Sequence, residues 1–372
     1  MRLVVIGCGF AGVEVVGAVR GLLPVDSLEI VMIDPRSRME FQAAHPEILS
    51  GKVLPEDISG DIRVFSEKND ARFVNKAVET VDFDENVVKA GDEAIPYDFL
   101  VIASGGVPTF FGVPGAETSY TVNTLSEAVR AKNALDRLDV NKNVKIAVIG
   151  AGLTGVEVVG ELNDYFNERK AKNAKIYLIE AMDKVLPTFN DNVSNYVKKL
   201  FEDEGVEIVT SKGVERIDDG HIVLTDGSEL DTDMVIWTCG IQSSSLSKTF
   251  GLENVRGWIV VDENLRAKGR NNLFVIGDAA HVEIDGILSG KNVEEAEHQG
   301  RTAAQNIVNL IRKKPLKKYR PVNTTSDPRA IITLGRKRAV IVFKGMMIRF
   351  MAYRLKKFIE HRYLKRFRSR KA

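Results

Sequence analysis

The sequence predicts an α/β protein that contains two Rossmann-like dinucleotide-binding domains, followed by a short β-hairpin and an amphipathic helix. Three observations predict this class. A glycine fingerprint of the form GxGxxG occurs at residues 7–12 and again at 150–155, each time directly after a short apolar run. Each fingerprint is followed, after a second apolar run, by an acidic residue at the distance expected of a ribose ligand. A basic segment with apolar residues at helical spacing ends the chain.

The first fingerprint follows the predicted strand 3–6. Gly7 makes the tight turn out of the strand, Gly9 lets a pyrophosphate approach the backbone, and Gly12 lets the next helix pack closely on the sheet. The N-terminus of that helix offers free N–H groups and a positive dipole end to phosphates. The second strand, 29–33, ends at Asp34, which lies 22 residues beyond Gly12 and suits the ribose hydroxyls.

The second fingerprint repeats this arrangement. The strand 145–149 leads into Gly150, Gly152 and Gly155, and the strand 175–179 ends at Glu180, which lies 25 residues beyond the third glycine. One GxGxxG alone is a weak signal. Two copies, each with its strand, helix and carboxylate, indicate that the chain holds two nucleotides and passes electrons between them.

Composition is that of an ordinary globular protein. Of the 372 residues, 44% are apolar and 28% are charged, and there is no apolar run of the length that spans a bilayer. Met1-Arg2 leads directly into a strand, so no signal peptide is expected. The two cysteines lack disulfide or metal-ligand spacing and the five histidines are scattered. We therefore expect a reducing cytoplasm and no metal site.

Charge is distributed unevenly along the chain. Residues 336–372 contain 14 Lys or Arg and a single acid, Glu360, whereas the whole chain has a formal net charge of only +1. An acidic body therefore carries a tail of net charge +13, which leaves −12 for the remainder. Anionic partners suit such a tail, and lipid head groups and nucleic acid are the two candidates.

The remaining elements follow from hydrophobic periodicity and turn signals. Residues 124–127 supply cap chemistry for the first of the predicted helices. The predictions are a buried strand at 99–103, a crossover at 107–115, helices at 126–138, 192–204 and 292–311, strands at 206–210, 221–225, 234–240 and 273–278, a basic linker at 312–320, a hairpin of 329–334 with 339–343, and a helix at 346–367.

The order of these motifs resembles the two-dinucleotide-binding flavoproteins over nearly the whole chain. Within that superfamily, the chain looks most like the type II NADH dehydrogenases, because of the segment 41–51, the strand ending at 237–240, the stretch 334–340 and the basic tail. The resemblance implies an FAD domain that is split in sequence, with an NADH domain inserted. The implied bounds are 1–112 with 245–325 for FAD, 113–244 for NADH, and 326–372 for the hairpin and basic helix.

The resemblance also implies which residues contact each nucleotide. A carboxylate at Glu180 would repel a 2′-phosphate, which favours NADH over NADPH, although the nearby Lys184 moderates that preference. The implied FAD contacts are Gly7, Gly9, Phe10, Ala11, Gly12, Asp34, Ala103, Ser104, Gly105, Gly277 and Asp278. The implied NADH contacts are Gly150, Gly152, Thr154, Gly155, Glu180 and Gly240.

Glu157 follows the second fingerprint by two residues. In similar proteins this position reaches the nicotinamide and flavin edge, which implies an orienting role in hydride transfer from NADH to FAD. The alternative is an acid in the first turn of a helix that complements the helix dipole.

The cysteines disfavour thiol-based electron acceptors. Disulfide reductases carry a redox cysteine pair, and related enzymes a single cysteine, in the segment that corresponds to 41–51, where this chain has none. Cys8 lies inside the first phosphate loop. Cys239 is interpreted as a small buried hydrophobe, with a redox role as the alternative. A membrane quinone remains as the acceptor that the resemblance implies.

The quinone site of similar enzymes has the pattern AQxAxQQ. The corresponding stretch, 293–299, matches it only at Ala296 and Gln299, and the preceding Lys291 is closer to the sulfide:quinone reductases. Glu294 and His298 either form an altered, protonatable quinone pocket or face solvent. His298 and Gln299 are therefore the candidate catalytic residues on the acceptor side.

The tail supports a membrane location. On a helical wheel, six apolar residues share one arc and charged residues lie outside it, which is typical of a helix at a membrane surface. The expected place is the inner face of the cytoplasmic membrane. A dimerisation or core-docking helix and a nucleic-acid tail are the alternatives, the last without supporting motifs. The six residues are Met347, Ile348, Met351, Leu355, Phe358 and Ile359.

Other functions also fit the two fingerprints. They are a soluble NAD(P)H reductase that uses ferredoxin or oxygen, an enzyme like the sulfide:quinone reductases, and a redox-sensing flavoprotein similar to apoptosis-inducing factor.

Overall fold

A computed structural model describes residues 1–171 and 173–369 of the chain. Its α-helices are α1 Phe10–Leu22, α2 Glu47–Ser50, α3 Ile62–Lys68, α4 Leu125–Leu135, α5 Leu153–Glu168, α6 Asp191–Asp203, α7 Ser245–Thr249, α8 Val293–Ile311 and α9 Ala352–Leu364. Its strands are β1 Arg2–Ile6, β2 Glu29–Ile33, β3 Arg38–Glu40, β4 Ser59–Asp61, β5 Ala71–Val74, β6 Val78–Asp82, β7 Val87–Ala90, β8 Glu93–Pro96, β9 Phe99–Ile102, β10 Gly106–Pro108, β11 Lys145–Ile149, β12 Lys175–Ile179, β13 Glu207–Val209, β14 Val214–Asp218, β15 His221–Leu224, β16 Glu229–Asp231, β17 Met234–Trp237, β18 Ile241–Ser243, β19 Asn254–Val255, β20 Trp258–Val260, β21 Leu273–Val275, β22 Ala280–His281, β23 Glu283–Ile284, β24 Ile287–Leu288, β25 Ala330–Thr333, β26 Ala339–Phe343 and β27 Met346–Ile348.

The first parallel sheet has the strand order β21-β9-β1-β2-β5. Its central strands are continuous apolar runs with buried side chains, as expected of a sheet that is covered on both faces. Helices α1 and α8 pack against each other beside it. Strand β21 lies about 170 residues beyond β9 in sequence, so a remote segment completes this sheet, as the resemblance implied.

The second parallel sheet has the order β13-β12-β11-β17. Strand β11 pairs in register with β12 on one side and with β17 on the other. Helix α5 follows β11 directly and is buried over most of its length. The predicted fold class, two parallel nucleotide-binding sheets in one α/β chain, is confirmed, while the exact domain bounds remain predictions.

A short antiparallel ladder connects the two sheets. Strand β10 leaves the first sheet after β9, strand β18 leaves the second after β17, and Val107 pairs with Gln242. The predicted crossover therefore begins as a strand. The helix predicted at 126–138 is α4, and its N-cap Thr124 forms a capping box with Glu127.

The C-terminal helix begins later than the sequence predicts. Residues 346–348 form β27, which pairs with β26, so the predicted hairpin is a three-stranded sheet and α9 begins only at Ala352. Met347, Ile348 and Met351 consequently lie outside the helix on which the sequence placed them. Within residues 1–171 and 173–369, no helix has both the length and the apolar content needed to cross a bilayer.

The end of the described chain packs back on the first sheet's side of the molecule. Phe367 is buried, and its ring stacks on Phe65 with centroids 5.0 Å apart. The space for it exists because residue 60 is a glycine: a Cβ there would lie 2.2 Å from the Cβ of Phe367. This aromatic contact holds the basic tail against the body.

We expect the substitution Phe367→Ala to lower the free energy of unfolding by about 3 kcal/mol, because it removes a buried ring and leaves a cavity against Phe65. Chemical denaturation measures this change. The matched control is Phe350→Ala, which truncates a side chain that is 81% exposed. Equal effects of the two substitutions would contradict the packing of Phe367 on Phe65.

Candidate functional site

The first fingerprint forms a loop that a buried carboxylate holds in place. Asp34 is only 2% exposed, and its Oδ2 accepts a hydrogen bond from the Cys8 N–H at 2.8 Å, while its Oδ1 accepts one from the Arg36 N–H at 2.9 Å. Gly7 has φ +96°, a conformation that favours glycine. The carboxylate at the end of β2 therefore fixes the loop that follows β1.

The second fingerprint repeats this geometry closely. Glu180 Oε2 accepts a hydrogen bond from the Ala151 N–H at 2.7 Å, and Oε1 accepts one from the Met182 N–H at 2.8 Å. Gly150 has φ +99°, which matches Gly7. Both acids were predicted as ribose ligands. The sequence analysis did not predict that they also anchor the phosphate loops.

The space in front of each loop fits a dinucleotide pyrophosphate. A Cβ added at Gly9 or at Gly152 would meet no atom within 4 Å, so both loops present bare backbone to an open cleft. Each glycine is the N-cap of the following helix, α1 or α5, and no side chain caps either helix. The free N–H groups of both helix N-termini are therefore available to phosphate oxygens.

The remaining residues predicted to bind FAD lie around the first loop. Ala103 meets the loop directly, since a Cβ at Gly7 would lie 2.2 Å from its carbonyl oxygen. Ser104 Oγ lies 3.0 Å from Ser247 Oγ, and Gly105 has a positive φ with open space in front of it. Phe10, the first residue of α1, packs its ring on Phe41 and Tyr363, and Ala11 is buried beside Gly277.

Asp278 and Lys291 form the polar wall of the first cleft. Burial raises the pKa of the Asp278 carboxyl, and the charge of Lys291 partly opposes that shift. Desolvation in turn lowers the pKa of Lys291 to about 8. The Lys291 ammonium donates to the carbonyl oxygens of Asp278 and Ala280 and lies 5.1 Å from the centre of the Trp258 ring.

Gln299 is buried next to the Gly277-Asp278 turn of the first cleft. Its Oε1 accepts a hydrogen bond from the Gly277 N–H at 2.7 Å, and its Nε2 donates to Ser289 Oγ at 3.0 Å. Gln299 is only 2% exposed. These contacts give Gln299 the geometry of a residue that positions the Gly277-Asp278 turn.

The neighbouring acid and histidine of α8 point elsewhere. His298 packs its ring on Tyr319, with centroids 5.0 Å apart, and burial lowers its pKa. Glu294 is exposed and accepts a hydrogen bond from Asn323. The two side chains therefore contact different partners. Of the two arrangements that the sequence left open, a shared pocket is not formed, and Glu294 faces solvent whereas the His298 ring packs on Tyr319.

Glu157 is paired with the C-terminal helix. Its carboxylate accepts hydrogen bonds from the Lys356 ammonium at 2.6 Å and from both the N–H and the hydroxyl of Thr333 at 2.9 Å. Lys356 and Glu157 are both less than 9% exposed. Glu157 is thus a fixed, ion-paired group. A helix-dipole role alone would not require these contacts.

A larger cluster of buried charges continues from Glu157 along the same face of α5. Glu161 accepts hydrogen bonds from Ser50 Oγ at 2.5 Å and from Lys52, which also pairs with Asp164. Burial raises the pKa of Glu161. The spacing of Glu157, Glu161 and Asp164 is the signal that sequence analysis could have used, because it places three acids on one helical face.

A second arm of this cluster reaches α9. The Lys357 ammonium lies 2.8 Å from a carboxylate oxygen of Glu47 and 2.9 Å from one of Glu360. Burial raises the pKa of Glu360. The charged face of α9 therefore packs inward.

The second cleft continues along the end of β17. Thr238 Oγ1 donates to the carbonyl oxygens of Ile149 and Gly150, and Gly240 has φ +59°. Thr154 lies in the first turn of α5, two residues after the N-cap Gly152. Burial raises the pKa of Cys239 to about 12 and that of Cys8 well above its usual range. Among the described residues, no group of three or more potential ligands converges as a metal site would require.

Two nucleotide cradles in one chain, joined by a short ladder, define a flavoprotein-type oxidoreductase architecture. The chain belongs to the pyridine nucleotide-disulphide oxidoreductase family, whose model matches residues 1–301. It is 29% identical over 344 residues to the type II NADH:quinone oxidoreductase of Staphylococcus epidermidis, which covers 87% of this chain and 85% of that protein. It is 28% identical to the protein of the same name from Staphylococcus aureus, over 83% of this chain and 82% of that one.

Solved structures show the same fold. NDH2 from Plasmodium falciparum in complex with NADH has a TM-score of 0.85 at 17% identity, over 99% of this chain and 95% of that one. The sulfide:quinone oxidoreductase from Aquifex aeolicus has a TM-score of 0.86 at 22% identity, over 99% of this chain and 91% of that one.

We expect His298→Gln to reduce the loss of stability that the protein suffers in acid. Because burial holds the pKa of His298 below its ordinary value of 6.5, the folded state binds fewer protons there than the unfolded state once the pH falls below that value. Acid therefore favours unfolding through His298, and Gln removes this contribution. Denaturation midpoints between pH 7 and about pH 5 measure the difference.

The control is His361→Gln, at an exposed position of α9. Its midpoints are expected to follow those of the wild type across the same range. An identical pH dependence for His298→Gln and wild type would show that His298 has the same pKa in the folded and unfolded states, which would contradict the effect of burial.

Proposed function

We propose that this protein is an FAD-dependent NADH:quinone oxidoreductase. The observation that carries the proposal is the pair of complete cradles, with matching loops, anchoring carboxylates and open phosphate spaces, connected by the β10–β18 ladder. The ladder lies beside the first cleft: a Cβ at Gly106 would be 3.0 Å from the carbonyl oxygen of Gln242 and 3.6 Å from the Cβ of Asp278. Two nucleotides in these cradles would therefore extend toward a common meeting place.

The first cradle suits a resident FAD. Its sheet is completed by β21, and the turn that follows β21 places Asp278 at the cleft. Bound FAD would supply the chemistry that accepts two electrons from NADH and passes them to a quinone. Asp34 would hold its adenosine ribose and the loop 7–12 its pyrophosphate, while Ala103 to Gly105 would line its path.

The second cradle suits NADH. Glu180 would accept hydrogen bonds from the adenosine ribose hydroxyls and would repel a 2′-phosphate, and the loop 150–155 with Thr154 would hold the pyrophosphate. Glu157 is held by Lys356 and Thr333 and would keep a fixed charge where the two cofactors meet. The P. falciparum NDH2 structure contains NADH, which supports this assignment.

A quinone is the acceptor that both the named relatives and the two cysteines favour. The relatives from both staphylococci are named as quinone oxidoreductases. A thiol acceptor would need a reactive cysteine, but burial raises the pKa of both Cys8 and Cys239, so each is a poor nucleophile at neutral pH. We place Gln299 as a positioning residue of the FAD turn, and His298 as a group on the acceptor side of α8.

Stopped-flow absorbance tests this proposal. We expect NADH to reduce the flavin of the purified protein within seconds. We also expect a menaquinone or ubiquinone analogue to reoxidise the reduced flavin faster than oxygen does. Glu180→Ala is expected to raise the NADH concentration needed for half-maximal reduction by about tenfold, the cost of one charge-assisted contact.

Asp34→Ala is the matched variant in the first cradle, and we expect it to lose FAD during purification. Rapid reduction by NADH without reoxidation by either quinone analogue would contradict the acceptor. A flavin that NADPH reduces as fast as NADH would contradict the donor assignment.

We further propose that the C-terminal segment attaches the protein to the inner face of the cytoplasmic membrane. Helix α9 turns Lys356, Lys357 and Glu360 inward and three apolar residues outward: Leu355, Phe358 and Ile359 are 41%, 61% and 45% exposed. The segment before it adds Phe350 and Met351, and basic residues flank both. Exposing such an apolar face to water is unfavourable for a monomer. An anionic lipid surface would instead cover the apolar side chains and attract the basic ones.

We expect Phe358→Glu to reduce binding to vesicles that contain phosphatidylglycerol by about tenfold, because it places a carboxylate at the apolar–lipid contact. Vesicle co-sedimentation measures the binding. The matched control is Val255→Glu, which adds the same charge at a side chain of β19 that is 42% exposed.

If wild type and Phe358→Glu bind the vesicles equally, the face does not contact lipid. A dimer that dissociates on Phe358→Glu, with no vesicle binding by the wild type, would identify a second copy of the chain as the occupant of this face.

A further inference from the structure

Phe111 is the most unusual side chain near the second cleft. Phe111 is 68% exposed, although the ring of its neighbour Phe110 packs on Trp237. Its backbone has φ +51°, in the left-handed region that bulky residues rarely adopt. A strained backbone that presents an apolar ring to solvent persists only where its surroundings enforce it, and such positions cluster at binding sites.

Hydrogen bonds and a ring contact of residues 109–111 hold this conformation. The Phe111 N–H donates to Thr109 Oγ1 at 3.3 Å, and the carbonyl oxygen of Thr109 accepts a hydrogen bond from Trp237 Nε1 at 2.9 Å. The ring of Phe110 packs on Trp237, with centroids 5.9 Å apart. Phe110 thus anchors the segment to β17, whereas Phe111 remains exposed.

The Phe111 ring lies over the backbone that follows β17. A Cβ added at Gly240 would lie 2.6 Å from Phe111 Cζ, so a side chain there would displace the ring. The preceding residue, Cys239, lies against the phosphate loop, because a Cβ at Gly150 would be 2.7 Å from its Sγ. Phe111, residues 239–240 and the loop therefore form one continuous wall of the second cleft.

The sheet order assigns this wall to one half of the bound nucleotide. Glu180 ends β12, on one side of β11, and would hold the adenosine ribose there. Strand β17 lies on the opposite side of β11. A dinucleotide with its pyrophosphate at the loop after β11 must therefore extend its other half, the nicotinamide nucleoside, past the end of β17 and under Phe111.

From the proposed use of NADH, we infer that Phe111 is a positioning residue that packs its ring against the nicotinamide half of the dinucleotide as that half extends from the second cradle toward the first. The neighbouring ladder supports this direction. Strand β18 begins at Ile241, directly after Gly240, and pairs with β10, which returns to the first sheet. A ring at this point can restrict the nicotinamide half to the path between the two sites.

Calorimetric titration of the FAD-loaded protein with NAD⁺ and, separately, with 5′-AMP tests the inference. We expect Phe111→Ala to raise the dissociation constant of NAD⁺ about fivefold, since one aromatic face no longer packs on the ligand. The constant for AMP, which reaches only the Glu180 side, is expected to be unchanged. Phe111→Tyr retains the ring and is expected to bind both ligands as the wild type does.

Two further variants separate binding from folding. Phe111→Gly removes the left-handed strain, so its melting temperature is expected to equal or exceed that of the wild type while NAD⁺ binding weakens as in Phe111→Ala. Val107→Ala truncates another exposed side chain of the same crossover, 40% exposed, and is expected to change neither property.

Equal weakening of NAD⁺ and AMP in Phe111→Ala would overturn the inference, since it would indicate a distorted cradle. Unchanged NAD⁺ binding in Phe111→Ala would also overturn it, while leaving the proposed function intact. A wild-type protein that binds neither NAD⁺ nor NADH would overturn the proposed function and this inference with it.

Discussion

Each nucleotide cradle depends on one buried carboxylate that accepts hydrogen bonds from the loop it faces. Asp34 and Glu180 are 2% and 9% exposed, and each ties the end of the second strand of its unit to the glycine loop after the first strand. A buried carboxylate without partners would be costly, so the backbone N–H groups that satisfy it also fix the loop. The bare backbone at Gly9 and Gly152 keeps its position relative to the helix N-terminus for this reason. The stability of each loop and the phosphate recognition proposed for it thus depend on the same two side chains.

Much of this arrangement could be predicted from the sequence, because its signals are local. The strands 29–33, 145–149 and 175–179 have the predicted bounds, since apolar runs bounded by glycine or acidic residues leave little freedom. The start of the C-terminal helix could not be placed, because Met346 to Ile348 fit a helical period as well as a strand. Pairing with β26 decides in favour of the strand, and that contact is tertiary.

The partners of the candidate site residues could not be predicted either. Glu157 and Lys356 are 199 residues apart, and no local pattern relates them. His298 and Gln299 are adjacent on α8, but the His298 ring packs on Tyr319 whereas the Gln299 side chain bonds to the Gly277 turn. For Phe111, the sequence predicts only that it belongs to the crossover at 107–115. Only its left-handed backbone and its position over Gly240 distinguish it, and neither has a sequence signature.

The structure shows that part of the basic tail forms ion pairs within the protein. Its net charge of +13 suggested a polybasic surface for anionic lipid. Several of those charges are instead used inside the molecule: Lys356 pairs with Glu157, Lys357 with Glu47, Arg366 with Glu14 and Arg338 with Glu204. The exposed basic residues of α9 and its flanks, among them Arg349, Arg354, Arg362 and Lys365, would each contribute about 1 kcal/mol at an anionic surface. The acidic face of α5 therefore explains part of the charge polarity. Because Lys356 pairs with Glu157 of that face and Lys357 pairs with Glu47, the side chains of Leu355, Phe358 and Ile359 are turned outward, so the same ion pairs leave an apolar surface exposed on α9.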